Sequence, residues 1–151
     1  MYILLDIDGV MIPIKSWKSV ELLEDNFLTF NSIAVSNINR MIIETNATII
    51  LTSSHKSLFN LEQWNKIFYV RGIDTVIGKL EDNIHFLTRK EEILKWLHKN
   101  SKENVVIIDD DKSLNSLPLH LKNKWVPIDS MIGLTEKNTS DAINILKNNF
   151  V

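Results

Sequence analysis

Two carboxylates one residue apart, Asp6 and Asp8, close the apolar opening of the chain in the stretch YILLDIDGV, residues 2–10. An apolar run of this length fits a strand buried on both faces, and alternation sends residues i and i+2 to the same side. Both carboxylates are therefore expected to point into one space at the strand's carboxyl end, where open α/β sheets bind ligands. So close a pair repels unless a cation or proton sits between them, which points to a hard metal ion with oxygen ligands. The competing structural reading is an Asp-Gly turn at a strand end. Two further apolar runs end in polar clusters: Ala47–Leu51 in Thr52, Ser53 and Ser54, and Asn104–Ile108 in Asp109, Asp110 and Asp111. Between them Arg89 and Lys90 offer cations. Together these groups suit a phosphoryl ligand. Carboxylates from two strands can hold Mg²⁺, a hydroxyl with backbone N–H groups and one basic side chain can neutralise phosphate, and a free carboxylate can attack phosphorus.

The elements that must deliver these groups follow from periodicity. Ile33, Val35, Ile38, Met41, Ile42 and Ile43 recur at mostly helical spacing and predict an amphipathic helix through Thr45, after a short strand at Phe27–Phe30. A helix is predicted over Ser57–Lys66 with Leu58, Leu61 and Trp64 inward, then a short strand near Thr75–Ile77. Arg89–Asn100 reads as a helix with Ile93, Leu94, Trp96 and Leu97 on one face and Thr88 as its cap. Trp125–Ile128 predicts another strand, and a last helix follows Gly133–Thr135. Val10–Glu24 lacks a sustained period and reads as a flap or hairpin beside the site, where Trp17 packs or stacks on substrate. Strands alternating with helices imply right-handed crossovers and a mainly parallel central sheet in a three-layer α/β, Rossmann-like fold.

The 151 residues, 44% apolar and 24% charged, fit one globular domain spanning 1–151. The absence of cysteine rules out disulfides, thiolate metal sites and thiol nucleophiles. A net charge of −2 gives no bulk drive toward nucleic acid. The first apolar run is broken by Asp6 and lacks a basic lead, so neither a signal peptide nor a membrane span is expected, and a cytoplasmic protein without membrane association is the default. His55, His85, His98 and His120 lack metal-site spacing and read as surface or packing residues, His55 alone being near the site.

In order and spacing these motifs resemble the haloacid dehalogenase (HAD) superfamily. Its first motif, Asp-x-Asp-Gly-Val or Thr, is matched by Asp6 to Val10. The second, a Ser or Thr ending an apolar strand, is matched best by Ser53, with Thr52 as the alternative. The acidic pair of the fourth falls on Asp109 and Asp110, with Asp111 as an extra candidate, and the basic third motif falls on Arg89 or Lys90, with Lys56 and Lys79 also in range. The combination TSSHK, RKEEILKWL, VVIIDDD and IGLT is similar to the small HAD domain of multi-domain RNA repair proteins. The resemblance implies a Mg²⁺-dependent phosphohydrolase of phosphomonoesters. Asp6 would be the nucleophile and Asp8 the acid and base. The metal would sit among Asp6, Asp8 through its backbone carbonyl, Asp110 and Asp109. Ser53, with Thr52 and Ser54 beside it, would bind phosphate oxygens, and Arg89 or Lys90 would offset charge.

The gaps Met11–Ala47 and Ser54–Thr88 leave no room for a substantial cap domain. In relatives an open site goes with bulky or macromolecular phosphoesters, so the expected partner is a phosphorylated small molecule or a nucleic-acid end. Rival functions are a non-enzymatic phosphoacceptor, a binding module without turnover, and a phosphotransferase. The built-in acid and base at Asp8 argues against a long-lived phosphoryl group.

Overall fold

The computed structural model describes residues 1–14 and 21–148. Trp17 and the central part of the proposed flap lie outside the described residues. The elements run β1 (Tyr2–Leu5), α1 (Ser32–Thr45), β2 (Thr48–Leu51), α2 (Leu61–Val70), β3 (Ile77–Lys79), α3 (Arg89–Lys99), β4 (Val105–Asp109), α4 (Leu119–Lys122), β5 (Trp125–Pro127) and α5 (Glu136–Asn148). The five strands form one parallel sheet in the order β3-β2-β1-β4-β5. β1 lies at its centre, with Leu5 opposite both Leu51 and Ile108.

Alternation along the central strands divides the interior into two layers. Ile3 and Leu5 of β1, Ile49 and Leu51 of β2, and Val106 and Ile108 of β4 face a core filled from α1, α2 and α5 by Ile38, Met41, Trp64, Phe68, Ala142 and Leu146. Leu4, Val105 and Ile107 face the opposite way, into a core closed by Ile93 and Leu97 of α3 and by Leu114 and Trp125, with Ile50 packed against it. The sheet is therefore the middle of three layers, as near-continuous Val/Ile/Leu runs require of a parallel sheet covered on both faces. Among the described residues no helix is long and apolar enough to cross a membrane.

Capping side chains set where the helices begin. Asn31 accepts from the N–H groups of Ile33 and Ala34 to start α1, and Thr88 and Glu91 cap α3 reciprocally. A second reciprocal box, Asn60 with Gln63, starts α2 at Leu61 rather than at Ser57. This corrects the expected helix phase: Trp64, Ile67 and Phe68 point inward, whereas Leu58 and Leu61 are 62% and 45% exposed. The strand expected at Phe27–Phe30 is also absent. Asn26 at φ 63° turns the chain, and only an isolated antiparallel bridge joins Leu22 to Leu28. That segment is held by Arg71, which pairs with Asp25 at 2.6 Å and donates to the carbonyls of Phe27 and Leu28. β3 forms two residues later than expected, at Ile77–Lys79.

Candidate active site

One residue past the paired registers of β1, β2 and β4 stand Asp6, Thr52 and Asp109, side by side at the sheet's carboxyl edge. The backbone confirms the continuation: Asp6 N–H donates to Ile108 O at 3.1 Å, and Thr52 N–H to Leu5 O at 2.9 Å. By alternation each follows the phase of Leu4, Ile50 and Ile107, which is the layer occupied by α3. The first residue of α3, Arg89, meets them there. Its Nη1 lies 3.3 Å from Asp6 Oδ1 and 2.5 Å from Asp109 Oδ2. A cation at a helix N-terminus opposes the macrodipole. Here two buried carboxylates outweigh that.

Asp110 completes an acidic cluster: one oxygen each from Asp6, Asp109 and Asp110 lie within 4.8 Å of one another. The chain passes this cluster at Gly9, whose φ of 77° is left-handed, and a Cβ there would stand 2.8 Å from Asp110 Cγ and 3.0 Å from Ser130 Cβ. Glycine is needed both for the turn and for the space Asp110 occupies. Burial, followed by the Asp109 charge, raises the Asp6 carboxyl to about 8, against the lowering effect of Arg89. Asp109 is raised too, by burial and against the pull of Arg89. Burial would lower Arg89, but Asp109 and Asp6 overcome it and keep the guanidinium charged. Three carboxylates against one guanidinium carry a surplus of negative charge when ionised, and hard oxygen donors with that surplus fit Mg²⁺.

The hydroxyls divide as follows. Thr52 Oγ1 is buried and has no hydrogen-bond partner among the described residues. Ser53, also buried, accepts from the N–H of His55 and so caps the short 3₁₀ turn Ser54–Ser57, while Ser54 is exposed. The orphaned donor is Thr52. Of the four basic candidates, only Arg89 reaches the carboxylates. Lys90 is seen to use its backbone N–H, donated to Ser113 Oγ. Lys56 is buried against Glu92 at 2.7 Å, and Lys79 donates to the carbonyls of Lys56 and Phe59. Asp111 is a cap, accepting from Ser113 N–H at the start of the turn Lys112–Ser116.

The matching family is the HAD domain in Swiss Army Knife RNA repair proteins, over residues 2–139. The chain belongs to that family. Searches among curated proteins and among solved structures gave no significant match. Membership supports a HAD-type phosphohydrolase function and agrees with the five-stranded parallel sheet.

In this HAD domain Asp8 stands apart from the cluster that holds Asp6, contrary to the expectation from simple alternation that both point into one space. β1 ends at Leu5, and the turn that begins at Ile7 takes the N–H groups of Val10, Met11 and Ile12 onto the Ile7 carbonyl. The Asp8 carboxylate, half exposed, instead meets His55 Nε2 at 2.7 Å. His55 is thus near the site, as expected, and has Asp8 as a partner that its sequence position alone does not reveal. Its place two residues past Ser53, in the turn leaving β2, was the available signal.

Proposed function

We propose that this HAD domain is a Mg²⁺-dependent phosphohydrolase that transfers the phosphoryl group of a phosphomonoester to Asp6 and then to water, acting as one unit over residues 1–151. The observation that carries the reading is the alignment of Asp6, Thr52 and Asp109 on one face of three adjacent strands, with Arg89 bridging the two carboxylates. Asp6 attacks phosphorus, and Asp8 protonates the leaving oxygen and then takes a proton from the attacking water. The orphaned Thr52 hydroxyl supports its role as donor to a phosphoryl oxygen, with Ser53 and Ser54 shaping the loop. Arg89 offsets charge as the phosphoryl group passes to Asp6, and Lys90 is left to the helix surface. Asp6, Asp109 and Asp110, with the Asp8 carbonyl, would hold Mg²⁺, which supplies charge neutralisation for the phosphoryl group.

Membership of a family found in RNA repair proteins supports a phosphorylated RNA end as the substrate. Among the described residues no helix and no strand of the sheet falls between β1 and α1, which is in keeping with a site open to a bulky phosphoester. The test is turnover of a generic aryl phosphate and of 3′- and 5′-phosphorylated RNA oligonucleotides, with and without Mg²⁺. Turnover that needs Mg²⁺, is lost in Asp6→Asn and favours an oligonucleotide end supports the reading. Undiminished turnover by Asp6→Asn would sink it.

A further inference from the structure

His55 is held on both its backbone and its ring. Its N–H donates to Ser53 Oγ at 3.1 Å, and its ring makes a T-shaped contact with that of Phe27, with centroids 5.6 Å apart. Phe27 is itself fixed, packed against Trp64 with centroids 5.2 Å apart and its carbonyl taken by the buried Arg71. The far side of the imidazole, Nε2, lies 2.7 Å from Asp8 Oδ2. His55 and Asp8 side chains are 32% and 50% exposed, so solvent competes for this hydrogen bond and only a fixed ring keeps it directional.

We propose that His55 is a positioning residue for the acid and base Asp8, an inference that rests on the phosphohydrolase reading above. With the proton on Nε2, His55 donates to Asp8 Oδ2 and leaves Oδ1 as the oxygen that exchanges a proton with substrate. In the first half-reaction a bond forms between an Asp6 oxygen and phosphorus, and the bond from phosphorus to the leaving oxygen breaks. The proton on Asp8 Oδ1 passes to that oxygen, leaving the alcohol, the aspartyl-phosphate and an Asp8 carboxylate. In the second, water attacks phosphorus and gives one proton to Asp8. The aspartyl bond breaks, releasing inorganic phosphate, Asp6 as a carboxylate and Asp8 as the acid. His55 gains and loses no proton in either step. It fixes which Asp8 oxygen does.

A positioned acid matters in proportion to how poor the leaving group is. An alkoxide needs its proton as the bond breaks, whereas 4-nitrophenolate departs without one. The experiment compares kcat/KM for 4-nitrophenyl phosphate, phenyl phosphate and an alkyl phosphate in wild type, His55→Ala and His55→Gln, with thermal unfolding of each. His55→Ala is expected to lose about 10- to 100-fold on the alkyl phosphate, less than the roughly 10²–10⁴-fold that general acid catalysis contributes as a whole, because Asp8 itself remains. Its loss on 4-nitrophenyl phosphate should stay within about threefold, so that the dependence on leaving-group basicity steepens. His55→Gln, whose amide N–H can replace Nε2, should recover most of the alkyl activity. Equal loss on all three esters, or a Gln variant indistinguishable from Ala, overturns the positioning role while leaving the phosphohydrolase reading intact. A wild type that turns over none of the esters and no phosphorylated oligonucleotide overturns both.

Discussion

Replacing Gly9 by alanine should uncouple the acidic cluster from the rest of the fold. Two costs are readable. At φ 77° any side chain is in left-handed backbone, worth about 1–2 kcal/mol. The new Cβ would also stand 2.8 Å from Asp110 Cγ, inside the roughly 3.5–4.0 Å at which carbon atoms rest, so the carboxylate must withdraw by about 1 Å. The end of a side chain can do this cheaply, which keeps the total near 1–3 kcal/mol of stability. Function should suffer more. Mg²⁺ requires oxygen ligands close to 2.0–2.1 Å in octahedral array, and a misplacement of about 1 Å in a catalytic array costs on the order of 100-fold. Gly72→Ala is the control, because its φ of 89° imposes the same strain while the nearest atom, Val35 Cγ1, is 3.6 Å from the added Cβ. Urea unfolding, calorimetric titration with Mg²⁺ and phosphatase turnover should show similar stability losses in both variants. Only Gly9→Ala should lose Mg²⁺ affinity and about 100-fold in rate. Equal Mg²⁺ binding and turnover in the two would refute the placement of Asp110 against Gly9.

Other consequences are as direct. The Asp6 carboxyl is raised to about 8 in the fold, so between its ordinary value near 4 and 8 the metal-free folded state binds more protons than the unfolded chain. Stability without Mg²⁺ should therefore fall as pH rises through that window, and stabilisation by Mg²⁺ should grow through it, measured by thermal unfolding at pH 5, 6.5 and 8. Thr52→Val removes a buried hydroxyl without a partner, so stability should hold or rise by up to about 1 kcal/mol in urea while turnover falls at least 10-fold. Ser53→Ala, which loses a cap, should instead cost about 0.5–1 kcal/mol of stability. Lys56→Met leaves the largely enclosed Glu92 carboxylate unpaired and should destabilise by up to about 3–5 kcal/mol, with Lys56→Met/Glu92→Leu recovering most of it in the same assay.

The strands were legible because a parallel sheet covered on both faces demands unbroken apolar runs, and TIIL and VVIID are such runs. Those runs also placed Asp6 and Asp109. Alternation along them also separates the two candidate hydroxyls. Thr52 stands in phase with Ile50 and Asp6 with Leu4, whereas Ser53, the better motif match, falls to the opposite phase and caps a turn. Periodicity was weaker where a local cap or a tertiary clamp decides the outcome. Asn60 with Gln63 resets the phase of α2 and exposes Leu58 and Leu61, and Arg71, distant in sequence, pulls Phe27 and Leu28 out of any strand. Arg89 could not be separated from Lys90 by position, because the direction of the first residues of α3 depends on the Thr88–Glu91 cap. The His55 contact depends on where the chain turns after Leu5 and after Leu51, which no period encodes.

Covalent trapping tests the proposed role of Asp6 as nucleophile most directly. Quenching steady-state turnover with borohydride reduces an aspartyl-phosphate to homoserine, which peptide mass spectrometry can locate. Homoserine at position 6 alone, dependent on Mg²⁺ and substrate and absent from Asp6→Asn, is the expected result. Modification at Asp8, Asp109 or Asp110, or unmodified Asp6 in an enzyme turning over with a phosphoryl burst, would contradict it.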